Sequence, residues 1–78
     1  MKTMTCRQLG GPCDLAHQGE SADEVINAQD QHLWAMEKEG DAAHQPARNE
    51  MKKRWLRPRK ALGWYNATKA TFADLPQD

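Results

Sequence analysis

The sequence predicts an α+β domain in which a two-stranded N-terminal β-hairpin is followed by about three α-helices, so that the chain is mostly helical. Three observations carry this. The first 18 residues alternate polar and apolar side chains around a Gly10-Gly11-Pro12 turn, the pattern of a hairpin. Apolar residues then recur at helical spacing in three successive stretches. Prolines and a glycine interrupt those stretches where helices would end.

In the hairpin, expected over residues 2–18, Met4 and Cys6 share one face of the first strand. Residues 13–17 form the second strand, with Cys13, Leu15 and His17 on one face. The turn would bring Cys6 and Cys13 together at the closed end. Ser21-Ala22-Asp23-Glu24 reads as a capping box, and Ala22, Val25, Ile26, Gln29, His32, Leu33 and Met36 continue from it as one stripe. The first helix should span about 22–39, with Gly40 as its stop. A second stripe, His44, Ala47, Arg48, Met51 and Trp55, predicts a helix over about 46–57 that ends before Pro58. Pro46 cannot sit in a helix interior without losing a backbone bond, so either the helix begins there or its first turn is irregular. A third stripe, Ala61, Trp64, Tyr65, Thr68, Phe72 and Leu75, predicts a helix over about 60–74, stopped by Pro76.

With 78 residues, the chain has room for one domain, which at this size buries only about 60% of its unfolded surface. Such chains often need a disulfide, a metal or a partner subunit. No apolar h-region follows Lys2, and no apolar run approaches the roughly 18 residues of a membrane span. A cytoplasmic location is therefore expected, where thiols stay reduced. The formal net charge of zero hides an asymmetry. Residues 1–45 hold three Lys/Arg against eight Asp/Glu, and residues 46–78 hold eight against three. Opposed halves can attract within one fold or pair head to tail in a homo-oligomer.

The chemistry-bearing residues are few. Cys6, Cys13, His32 and His44 make a complete tetrahedral set for zinc, the ion that mixed thiolate and imidazole ligands suit best. Iron and copper share such ligands, since geometry more than affinity sets selectivity. In one unbroken helix, residues 32 and 44 would lie about 18 Å apart, so one ion can be shared only if the chain folds back at Gly40-Asp41. His17 is a rival fourth ligand in place of His44, although an exposed strand histidine is the simpler reading. A Cys6–Cys13 disulfide is the competing use of the cysteines, worth about 2–3 kcal/mol against about 10–16 kcal/mol for zinc in finger peptides. The residues alone leave metal and non-metal readings open.

The motifs resemble a bacterial family of predicted small metal-binding proteins, domain of unknown function 1059. The likeness rests on Lys2-Thr3-Met4-Thr5-Cys6, Leu9-Gly10-Gly11, Cys13-Asp14, Gly40-Asp41-Ala42-Ala43-His44, Asn49-Glu50-Met51 and Leu75-Pro76. Pro46 departs from the helical residues that follow the Ala-His step in that pattern. The resemblance implies metal binding, with Cys6, Cys13, His32 and His44 as the ligands.

A closed four-ligand site leaves no open position for substrate, so no enzymatic activity is expected. Catalysis would need a missing ligand and an acid or base such as Asp14 or Glu37. Asp14 is better read as a turn residue, or as the acceptor of a ligand histidine's free N–H. The basic run Lys52–Lys60, six cations in nine positions around Trp55, is the alternative functional feature. It could bind nucleic acid or a protein, with Trp55 stacking on a base, but cations at a helix end also serve the helix dipole. The neutral overall charge favours the second explanation.

Overall fold

The computed structural model describes residues 1–78. In chain order it contains β1 (Lys2–Thr5), β2 (Ala16–Gly19), α1 (Ala22–Lys38), a 3-10 turn (Ala42–His44), α2 (Gln45–Leu56) and α3 (Pro58–Asp74). The expected α+β, mostly helical architecture is present. The hairpin is antiparallel with Met4 opposite His17. Its second strand starts three residues later than expected. Cys13 therefore lies in the connection, Leu15 is exposed, and His17 is buried at 7% exposure. The reason is the turn at Cys6, whose carbonyl accepts from the amides of both Leu9 and Gly11. That wrap consumes residues which a tight hairpin would have placed in a strand.

Ser21 caps α1 by accepting from the Glu24 amide. Glu24 returns the favour one residue early, accepting from the Glu20 N–H at 2.9 Å rather than from Ser21. The helix ends where Gly40 adopts φ +78°, a conformation in which glycine escapes the Cβ penalty. Gly40 N–H donates to Glu37 and Asp41 N–H to Met36, the paired bonds of a Schellman ending. This reversal sends the chain back along α1. Pro46 then falls in the first turn of α2, where its missing N–H costs nothing. The Asp41-capped 3-10 turn supplies the irregular start that Pro46 demands. Pro58 likewise begins α3 instead of merely ending α2.

Met4, Leu9, Ala22, Val25 and Phe72 form the apolar core, with Ile26 and Leu75 packed beside it. It joins the hairpin to the first half of α1 and the last turns of α3. Lys2 reinforces that joint: its Nζ donates to the Phe72 and Ala73 carbonyls at 3.1 and 2.8 Å, which satisfies the free end of α3 with a cation. Tyr65 Oη donates to Asp23, a second tie between α3 and α1. On the other half of α1, Leu33 is buried and α2 contributes only Met51 as a buried side chain. Trp55, expected on the inward stripe of α2, is 66% exposed. Part of the charge asymmetry is used here. Glu37 on α1 pairs with Lys52 at 2.9 Å and with Arg48 at 3.3 Å. No helix is long and apolar enough to cross a membrane.

Candidate metal centre

Three segments of the chain deliver one donor set. Cys6 follows β1, Cys13 lies in the hairpin connection, His32 is on α1, and His44 closes the 3-10 turn before α2. Their Sγ and ring nitrogen atoms all lie within 4.8 Å of one another. Cys13 Sγ is 3.3 Å from His32 Nε2 and 3.4 Å from His44 Nε2. Bond lengths of 2.3 Å to sulfur and 2.0–2.1 Å to nitrogen make the sulfur–nitrogen edge of a zinc tetrahedron about 3.6 Å, so these separations suit a common cation. The two rings meet edge to face, with centroids 4.9 Å apart. Both cysteines are free thiols.

Local sequence explains why the donors converge. Cys6 Sγ sits against Gly11: a Cβ built there would lie 2.2 Å from the sulfur. Any other residue at position 11 would displace the donor. The reversal at Gly40 then brings His44 back beside His32, so the fold-back which the helix arithmetic requires is present.

Two of the four donors, Cys6 and His44, are held from behind. Gln29 Nε2 donates to Cys6 Sγ at 3.1 Å, and Gln29 Oε1 accepts from His17 Nε2 at 2.7 Å. His17 is therefore not a fourth donor. Its strand face points it at Gln29, and it fixes which way the Gln29 amide turns. His44 Nδ1 lies 3.1 Å from Asp41 Oδ2, and the other Asp41 oxygen accepts from the Ala43 amide. Asp41 thus does what Asp14 was expected to do. Asp14 is exposed and instead pairs with Arg7 at 2.8 Å, because the wrap around Cys6 carries it away from both rings. Glu37 is occupied by Lys52, Gln45 and Arg48.

Two of these supporting residues carry signals in the sequence. Gln29 is an amide on a stripe whose other members, His32 apart, are apolar; it is only 2% exposed, and a buried polar group needs partners. Asp41 precedes His44 by three residues at a turn, a spacing that lets one carboxylate cap the turn and orient the ring.

The electrostatics differ from donor to donor. Burial, then the neighbouring His44 and His17 rings, push His32 below its ordinary pKa and so favour the neutral form, which a metal binds. For His44 burial acts downward, but the Cys13 sulfur and the Asp41 carboxylate outweigh it and raise the pKa. Burial raises Cys6, and donation from Gln29 offsets only part of the rise. In Cys13 the upward pull of burial is overcome by the Leu15 amide and His44, so its thiol is lowered. The Ala43 amide, and then His44, hold Asp41 ionised.

No protein-family model, no curated protein and no solved structure matches the chain.

Proposed function

We propose that the chain is a small metal-binding protein whose Cys6, Cys13, His32 and His44 hold one zinc ion in a closed site. The carrying observation is the gathering of these four donor atoms within 4.8 Å, from elements up to 38 residues apart in sequence. Two thiolates and two imidazoles match zinc's preferences, and Asp41 and Gln29 occupy the orienting positions that tune such ligands. The resemblance of the sequence to the small metal-binding family supports the same four residues. With four protein ligands the ion has no place for substrate. Its role is therefore structural, or one of storage or sensing, and not catalytic. Free thiols in the site favour a reducing compartment such as the cytoplasm.

Native mass spectrometry with elemental analysis tests this reading. One zinc per chain, lost with Cys6→Ser, is the expected result, and iron or copper in its place would correct the metal while keeping the site. A chain that isolates without metal, and whose melting temperature is unmoved by chelator or added zinc, would overturn the proposal.

A further inference from the structure

The basic run at residues 52–60 takes no part in the metal centre, and the structure divides it at Pro58. Lys52, Lys53 and Arg54 lie near the C-terminal end of α2, where cations meet the negative pole of the helix. Lys52 pairs with Glu37 and Lys53 with Glu50. Helix electrostatics accounts for all three. Arg57, Arg59 and Lys60 are different. They crowd the beginning of α3, which has no side-chain cap and no acidic residue in its first turn. Cations there face the positive pole and are disfavoured. None of the three takes part in an ion pair. Arg57 also stands at the C-terminal cap of α2, where a cation is favoured, but Arg59 and Lys60 have no such reward and no ion pair.

The same corner forms an open, solvent-facing groove of about 620 Å³ between α2 and α3. Lys53, Arg54, Arg57 and Lys60 line it, and its one acid, Glu50, is already paired with Lys53. Its other walls are apolar. Leu56 is 81% exposed, and the Arg54 guanidinium rests 3.9 Å from the Trp64 ring centre. An arginine plane supported in this way is a stacking surface for a nucleobase.

We infer that the α2–α3 corner binds single-stranded nucleic acid, with phosphates at Arg57, Arg59 and Lys60 and an unstacked base against the Leu56–Arg54–Trp64 wall. Unpaired cations at a helix N-terminal end attract an anion, and the exposed apolar wall beside them suits a flat ring carried by that anion. A base can enter the groove only if it has left a duplex. Arg59 stands outside the groove lining, so the cations continue past a single nucleotide. The neutral chain makes the interaction modest and salt-sensitive, as backbone-dominated binding is. It does not depend on which metal fills the centre.

Fluorescence anisotropy of a labelled oligothymidylate, titrated with the metal-loaded protein at about 50 mM salt, tests the inference. Binding should weaken with rising salt, and an Arg57→Glu/Lys60→Glu variant should lose roughly tenfold or more in affinity. Both side chains are exposed, and unchanged circular dichroism and metal content would show the variant folded. Lys69→Glu, an exposed cation outside the groove, should change affinity less than about twofold. The inference is overturned by an absence of binding at low salt. It is equally overturned by the same loss in Lys69→Glu, or by an acidic peptide or thymidine monophosphate competing as well as the oligonucleotide.

Discussion

The two halves of α1 are held by different forces. Its first half, through Ala22, Val25 and Ile26, sits in the apolar cluster with Met4, Leu9 and Phe72. Its second half faces the 3-10 turn and α2, whose only buried side chains are His44 and Met51. There the attachment rests on the four-donor centre and on Glu37 with its two cations. A buried apolar side chain contributes about 1.5–3 kcal/mol. Five or six suffice to hold a hairpin to a helix pair, but Met51 and Leu33 alone do not hold a 12-residue helix. The contrast teaches where this small chain gathers its candidate metal donors: at the joint that its apolar residues are too few to close.

The largest test of this contrast is removal of the metal. Chelation, or Cys6→Ser, should lower the melting temperature more than any single apolar truncation, since structural zinc contributes about 10–16 kcal/mol in finger peptides. The loss should be uneven. Hydrogen exchange should show α2 amides exposed first, with Val25 and its neighbours in α1 protected longest, and a uniform loss along the chain would break the comparison. Next in size, Phe72→Ala should cost about 3–5 kcal/mol while leaving one metal per chain by mass spectrometry. Loss of metal in that variant would show the two regions to be one.

Smaller effects sharpen the metal side. Asp41→Asn should weaken metal affinity about 10–100-fold in competition with a chromophoric chelator, with little change in melting temperature when metal is saturating. Gly11→Ala should weaken it as well, by pushing Cys6 Sγ aside. The smallest effect is electrostatic. Lys52, then Gln45 and Arg48, hold the folded pKa of Glu37 at about 2, below its ordinary 4.5. A depressed carboxylate stabilises fully above its unfolded pKa and loses that contribution as pH falls through the folded one. The benefit is therefore complete above about pH 4.5 and fades toward pH 2. Glu37→Gln should flatten that part of an acid titration of stability, and an unchanged profile would remove Glu37 from the joint.

Much of this was legible in the residues, and the exceptions share a cause. Ser21, Gly40, Pro46 and Pro58 announce helix ends because caps and stops act within a few residues. The helix rise makes a fold-back at Gly40-Asp41 the condition for His32 and His44 to share an ion, and the two rings do meet, at a centroid separation of 4.9 Å. Alternation in 13–17 predicts a second strand that starts three residues too early, because the hydrogen bonds around Cys6 claim that stretch first. Helical spacing predicts Trp55 on the inward stripe, in which His44 and Met51 do turn inward. With so little apolar surface facing α2, the stripe cannot all be covered.

From the sequence alone follow the element order, the helix ends and the four donors, because these depend on neighbours along the chain and on residue chemistry. The tertiary structure alone decided that Asp41 rather than Asp14 backs a histidine, and that His17 acts through Gln29 instead of joining the donors. It also parted the basic run between two opposite helix poles. Those outcomes depend on which side chains meet across elements, a matter of packing and direction in space that no spacing within one element records.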